Sequence, residues 1–420
     1  SLCSSKKGKT LCPKGSGNQE YGYVQTSPLH RYFYTIIQAD GNPKTAQTFL
    51  YISGGPGASS LGIMLTANGP CRMDEDSLIE NEFSWTRQAN GIWVDAPIPT
   101  GFSQGPIGAG WENLILDLVD FVKKFFEEHK DLNNGVHLVG FSSSAQMMAT
   151  LGARLVKSVG FKVNLVGVMM LSGMVAPLAT YQGCLQMARD HKLLPSADID
   201  QMKAGLVQCK DRLAECNRNG PGGTPISVYC KQALNTCEDN TEQRLISAGT
   251  SAYDIRVPPG KENTFYRLHS GNVPDLLNLK SVQQALGVSE EWMPFNPQVF
   301  EQFARFVAYD TTYQVTSLLD AGLKVLVVNG DQDFITNAVG AFEGVSKLKG
   351  VKDYGKLLKK SPAKDIKVDG RNFGKIWASQ YSNGAKLAFI KVLDAGHKMF
   401  YYEPSGAQSI SENFFTGGYW

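Results

Sequence analysis

Six short apolar runs, each halted by small, polar or proline-containing turns, constrain this chain more than any other feature. They are residues 48–53 (TFLYIS), 91–95 (GIWVD), 136–139 (VHLV), 163–171 (VNLVGVMML), 323–328 (LKVLVV) and 387–393 (LAFIKVL). Such near-continuous runs read as strands buried on both faces. Helical patterns lie between them. Residues 111–129 set Trp111, Leu114, Ile115, Leu118, Val119, Val122, Phe125 and Phe126 on one stripe, and residues 145–158 continue as a second helix. Strands alternating with helices predict an α/β fold with a mostly parallel central sheet.

The alternation breaks between residues 180 and 290. That stretch holds Cys184, Cys209, Cys216, Cys230 and Cys237, polar helix-like pieces and Gly220-Pro221-Gly222-Gly223. We expect three segments: 1–178 and 291–420 forming one core, and 179–290 as an inserted Cys-rich cap over the sheet's carboxyl edge, where α/β proteins bind ligands. With Cys3, Cys12 and Cys71 the cysteines number eight. An even count in a Gly/Pro-rich setting predicts disulfides in an oxidising compartment. Spacing does not dictate the partners, and Cys209 with Cys230 is the pairing tried first. A zinc module is disfavoured, because no C-x-x-C occurs and His191 is the only nearby histidine. No N-x-S/T sequon occurs, so glycosylation adds nothing to the compartment argument. Ser1-Leu2-Cys3 reads as a mature start from which a targeting segment has been removed.

Charge narrows the function classes. Lys+Arg number 41 against 39 Asp+Glu, a net +2, which argues against a nucleic-acid coat or an anionic-membrane binder. The longest apolar stretch, 163–179, is broken by Asn164, Ser172 and Pro177 and is too short to span a membrane. Residues 347–375 carry nine Lys and one Arg against three Asp. A solvated loop is expected there, with an anion-docking face as the sharper alternative.

Three loops carry candidate chemistry. Gly140-Phe141-Ser142-Ser143-Ser144 follows the run at 136–139 and opens a helix. A sharp strand-to-helix bend lifts its middle serine out of the sheet and requires small residues two before and two after it. Asn329-Gly330-Asp331-Gln332-Asp333-Phe334 follows the run at 323–328, and Asp394-Ala395-Gly396-His397 follows the run at 387–393. A carboxylate at a strand end can orient an imidazole; alone it reads equally as a turn cap. The chain order Ser, Asp, His, each after a strand, is that of α/β-hydrolases.

The chain also resembles the serine carboxypeptidase family, as a divergent member. Tyr51-Ile52-Ser53-Gly54-Gly55-Pro56-Gly57-Ala58-Ser59-Ser60 looks like that family's W-L-N-G-G-P-G-C-S-S. Trp93 to Ser103, Gly140 to Ser144, Tyr253-Asp254-Ile255-Arg256, Gly330 to Ile335 and Ala395-Gly396-His397 match further family stretches. The resemblance implies Ser142 as nucleophile, His397 as base and Asp333 as its orienting carboxylate, with Asp331 a turn residue. It implies an oxyanion hole from the backbone amides of Gly55 and Ser143. It implies substrate contacts at Tyr51, Ser53, Gly54, Phe141 and Lys398, no metal or organic cofactor, and a secretory-pathway location, vacuolar, lysosomal or secreted. Partners would be a peptide or other acyl substrate, with the oligomeric state open, a homodimer included.

The departures fall on substrate recognition. Ser53 and Phe141 stand where the family has the Asn and Glu that bind a peptide's terminal carboxylate; Lys398 stands where Met is frequent, and Ala58 replaces a cysteine. Three readings remain open: a carboxypeptidase in which Lys398 takes over the carboxylate, an acyltransferase or esterase using the same three residues, and an inactive member with a binding or structural role.

Overall fold

The computed structural model describes residues 3–7, 10–12, 17–268 and 271–420. Ser1 and Leu2, and with them the reading of a mature start, lie outside the described residues, as does the Cys3 side chain. The strands are β1 (Cys3–Lys7), β2 (Gln19–Gln25), β3 (Arg31–Ile37), β4 (Thr48–Ile52), β5 (Cys71–Asp74), β6 (Ser77–Glu80), β7 (Asn90–Val94), β8 (Val136–Phe141), β9 (Leu165–Leu171), β10 (Lys324–Gly330), β11 (Lys364–Val368), β12 (Arg371–Gln380) and β13 (Lys386–Val392). Eleven form one sheet in the order β1-β2-β3-β7-β4-β8-β9-β10-β13-β12-β11, and β5-β6 is a separate hairpin. The six expected runs are its central strands β7, β4, β8, β9, β10 and β13, all paired in parallel. Antiparallel strands flank them on both sides. This is the α/β-hydrolase fold.

Alternate residues of the central strands feed two cores. Leu50, Leu138, Met170, Val327 and Phe389 pack with the helices Trp111–Glu128 and Ser143–Lys157. Phe49, Tyr51, Val139, Met169, Leu326 and Ile390 pack with Ile410 and Phe414 of the helix Pro404–Thr416. A period of two on a sheet covered on both faces requires this division.

Between β9 and β10 the helices Pro177–Asp190, Ser196–Cys216, Ser227–Asp239 and Glu242–Ser247 contribute to a third, smaller cluster or flank it. Two disulfides staple the second of these helices to the third: Cys209–Cys237 and Cys216–Cys230. The trial pairing of Cys209 with Cys230 is therefore wrong. In a helical hairpin the cysteines nearest the turn meet each other and the outer two meet each other. A third bridge joins Cys12 to Cys71, and among the described residues Cys184 is unpaired and buried.

The lysine-rich segment is not a loop. It forms the helix Tyr354–Lys360, then β11 and the start of β12 at the sheet's edge. In β11, Lys364, Asp365 and Lys367 are exposed while Ile366 and Val368 turn partly inward. Charges on an edge strand discourage pairing with another chain. Among the described residues no helix is long and apolar enough to cross a membrane.

One buried carboxylate joins the two loops that lead toward the site. Asp95, at the end of β7, accepts from the Ser59 hydroxyl at 2.7 Å, the Ser60 amide at 2.8 Å and the Phe102 amide at 3.0 Å. Burial raises its pKa to about 6 against the pull of those donors. Asp95→Ala would strand three donors in a dry interior, so we expect a loss of about 3 kcal/mol in urea unfolding. Asp95→Asn, which keeps an acceptor, should lose less.

Candidate active site

Ser142 follows β8 immediately before the helix Ser143–Lys157, with φ 57° and ψ −126°. A non-glycine residue at positive φ costs roughly 1–3 kcal/mol and persists only where its surroundings over-determine it. Here the Ser142 amide donates to Leu171 O at 2.8 Å, and Ser142 O accepts from the Ala145 amide at 3.0 Å. The space around the bend admits only small neighbours. A Cβ on Gly54 would sit 2.6 Å from Ser142 Cβ, and one on Gly140 would sit 2.3 Å from Ser144 O. Ser144, where G-x-S-x-G has its second glycine, is fully buried and donates its hydroxyl to Ser53 O. The bend is thereby tied to the loop after β4.

Asp333 and His397 come from the loops after β10 and β13. His397 Nε2 lies 2.9 Å from Ser142 Oγ, and Nδ1 lies 2.9 Å from Asp333 Oδ2. A carboxylate only accepts, so the ring proton sits on Nδ1 and leaves Nε2 as an acceptor for the serine hydroxyl. Asp333 is 0% exposed and His397 4%. Asp331 sits in the turn and is hydrogen-bonded to Gln332, away from this chain of contacts.

Three supports were not anticipated from the sequence. The Thr336 amide donates to Asp333 Oδ1 at 3.1 Å, and its hydroxyl donates to Oδ2 at 2.5 Å and lies 3.1 Å from His397 Nδ1. The Ser172 hydroxyl donates to His397 O at 2.6 Å. Tyr253 O accepts from the His397 amide at 2.8 Å, while Ile255 donates to Gln332 O at 3.0 Å. The Tyr253-Asp254-Ile255-Arg256 segment thus holds both loops, stiffened by a 2.8 Å Arg256–Asp254 pair whose carboxylate is fully buried. The spacing Asp333 to Thr336, a turn-capping interval, was the available signal for the first support.

Ser142 and His397 face a cavity of about 730 Å³ whose lining also includes Ser53, Gly54, Gly55, Phe141, Ser143 and Lys398. The amides of Gly55 and Ser143 donate to no protein acceptor among the described residues. Phe141 packs against the His397 ring at 5.3 Å and against Phe400 at 5.0 Å. Lys398 Nζ lies 5.9 Å from the Tyr401 ring centroid; burial lowers its pKa, with Glu262 acting in the opposite sense. Tyr51 is a correction. It was expected at the substrate, yet its ring is fully buried beside Trp85 and does not line the cavity. Strand parity turns it into the core packed by the C-terminal helix.

A buried carboxylate, an imidazole and a serine on a strained bend, all at the carboxyl edge of this sheet, are the features by which an α/β-hydrolase is recognised. The sequence profile of the serine carboxypeptidase family matches residues 12–417. The chain belongs to the serine carboxypeptidase family. It is 27% identical to serine carboxypeptidase-like 48 of Arabidopsis thaliana over 96% of this chain and 81% of that one. It is 26% identical to carboxypeptidase Y of Komagataella phaffii over 96% of this chain and 76% of that one. Among solved structures, a prohormone-processing carboxypeptidase from Saccharomyces cerevisiae superposes with a TM-score of 0.76 at 18% identity, covering 97% of this chain and 93% of that one. At that identity the last likeness speaks for the fold.

Proposed function

We infer that this chain is a serine-dependent acyl hydrolase that removes C-terminal residues from peptides through an acyl-enzyme. One observation carries the reading: two 2.9 Å hydrogen bonds link Ser142, His397 and Asp333 beside an open cavity. Ser142 Oγ attacks the scissile carbonyl carbon while His397 Nε2 takes its proton, and Asp333 stabilises the imidazolium through Nδ1–H. The amides of Gly55 and Ser143 receive the oxyanion. The imidazolium then protonates the leaving amine, and water, deprotonated by the same nitrogen, releases the acyl group. Residues 179–290 would act as a cap over this site, since Tyr181, Glu238, Glu242 and Ile246 line the same cavity. The three disulfides support a life in the secretory pathway, whether vacuolar, lysosomal or secreted.

Ser53 and Phe141 leave the peptide's terminal carboxylate without the family's Asn and Glu. Lys398 is the lysine of the cavity lining and makes no ion pair among the described residues. A carboxylate beside it would favour the charged form of its amine. Blocked dipeptides with free or amidated C-termini test this assignment. Lys398→Met is expected to raise KM for free-acid substrates by roughly 10- to 100-fold and leave amide turnover unchanged. Equal loss on both would mean that Lys398 supports the fold rather than the carboxylate. The apolar Phe141 wall beside His397 favours one second reading, transfer or hydrolysis of non-peptide acyl groups. Faster turnover of esters than of any free-acid dipeptide would select it.

A further inference from the structure

Two histidines outside the active site have a hydrogen-bond acceptor at each ring nitrogen. His30 precedes β3; its Nδ1 lies 2.9 Å from Asp117 Oδ2 and its Nε2 lies 2.9 Å from Pro106 O. His129 caps the end of the helix Trp111–Glu128; its Nε2 lies 3.0 Å from Glu20 Oε1 and its Nδ1 lies 3.0 Å from Phe125 O. Carboxylate and carbonyl oxygens only accept, so each ring fulfils both contacts only as the doubly protonated imidazolium. A neutral ring would turn one nitrogen lone pair onto an acceptor oxygen. His137 makes the contrast within the same chain: its Nδ1 sits 3.4 Å from Thr48 O, no carboxylate bonds to it, and burial holds its pKa well below the ordinary histidine value.

The two pairs grip one hairpin. Glu20 lies near the start of β2 and His30 stands at the turn between β2 and β3, at opposite ends of the hairpin. Their helix partners, Asp117 and His129, are about 18 Å apart along the helix axis. The four side chains are only 13–20% exposed. Around His30, the Tyr32 hydroxyl donates to the same Asp117 oxygen at 2.9 Å, Asp120 pairs with Lys124 at 2.7 Å, and Arg31 is held over the Tyr23 ring at 4.4 Å. Around His129, Tyr34 sets its ring edge-on at 5.6 Å and donates its hydroxyl to Glu20 Oε1 at 3.4 Å, and Asp131 lies in the following turn. Burial lowers the His129 pKa, but the Glu20 contact, the Phe125 carbonyl and Asp131 outweigh it and the net shift is upward. The hairpin in turn holds the chain beyond Asp95. Tyr23 donates its hydroxyl to Phe102 O at 3.0 Å, the Phe33 amide donates to Ser103 Oγ at 2.8 Å, and Arg31 and Gln104 exchange backbone bonds at 3.0 and 2.9 Å.

We propose that His30–Asp117 and His129–Glu20 form a proton-operated brace that fastens β2–β3 to the helix Trp111–Glu128 in acid and loosens it above neutral pH, fitting the chain to an acidic compartment of the secretory pathway. The brace is independent of the peptidase reading. A histidine whose folded pKa is raised lends stability that is complete below the unfolded value, about 6.5, and is lost as pH rises through the folded one.

Hydrogen exchange on the purified full chain, corrected for the intrinsic effect of pH, measures the brace. Opening of the β2 and β3 amides should be roughly tenfold or more rarer at about pH 5.5 than at about pH 8, a larger change than in β9 and β10. Glutamine keeps a donor for the carboxylate and takes up no proton, so H30Q/H129Q should bring the two pH values within about twofold of each other. Should that variant fail to fold, E20Q and D117N, which remove the charge from the other partner, should each cut the ratio to about threefold or less. In histidine-labelled NMR titrations His129 should keep its second proton to higher pH than histidine in the urea-unfolded chain. A hairpin that opens equally at both pH values, a ratio that survives these substitutions, or a His129 that titrates at or below the unfolded value would overturn the brace.

Discussion

Ser142→Ala abolishes fluorophosphonate labelling and lowers kcat/KM by roughly ten-thousand-fold or more, while unfolding stability shifts by less than about 1 kcal/mol. Nothing but the attacking oxygen is removed. The bend is held by backbone bonds to Leu171 and Ala145 and by the crowding of Gly54 and Gly140, none of which involves Oγ. Active-site titration with the fluorophosphonate and steady-state assay of a blocked dipeptide measure the two quantities. Turnover within about tenfold of the parent would mean that another group attacks the carbonyl.

Asp333→Asn lowers kcat by roughly ten-thousand-fold without loosening the fold. Asp333 accepts three hydrogen bonds: from His397 Nδ1, from the Thr336 amide and from the Thr336 hydroxyl. An asparagine keeps one acceptor oxygen and must aim a donor at one of these partners. If the amide faces the ring, the imidazole proton moves to Nε2, where it can no longer receive a proton from Ser142. Asp331→Asn is the matched control, because that side chain lies in the turn beside Gln332 and touches neither Ser142 nor His397. Rates that fall equally in the two variants would assign the effect to the loop rather than to the carboxylate–imidazole contact.

The strands that could be read from the chain and those that could not differ in their surroundings. β4, β7, β8, β9, β10 and β13 are covered on both faces, so their apolar runs are nearly unbroken. β2, β3, β11 and β12 are antiparallel and lie toward the edges, and they mix tyrosine, charge and glycine. Residues 364–368 (KDIKV) therefore looked like solvated chain although they form β11. The disulfides illustrate information present but unused. Cys209 and Cys216 are seven residues apart, as are Cys230 and Cys237, and on two antiparallel helices that spacing demands nested pairs.

The site divides in the same way. Ser142, Asp333 and His397 could be found because each follows an apolar run and lies in a short motif. Thr336, Ser172 and the Tyr253 carbonyl could not, because their contribution is a hydrogen bond made across the fold rather than a local pattern. Tyr51 went wrong for a related reason: position in a motif says nothing about which face of a sheet a side chain occupies.

By itself the sequence determined which segments are buried strands, which loops follow them and which reactive side chains those loops carry, because burial periodicity and turn chemistry act over a few residues. Only the tertiary structure decided that an imidazole 255 positions away meets Ser142, that Lys398 opens onto a cavity, and that Glu238 and Glu242 of the inserted segment line the same cavity. Those are distances between segments joined by nothing but packing, and packing is settled by the whole chain at once.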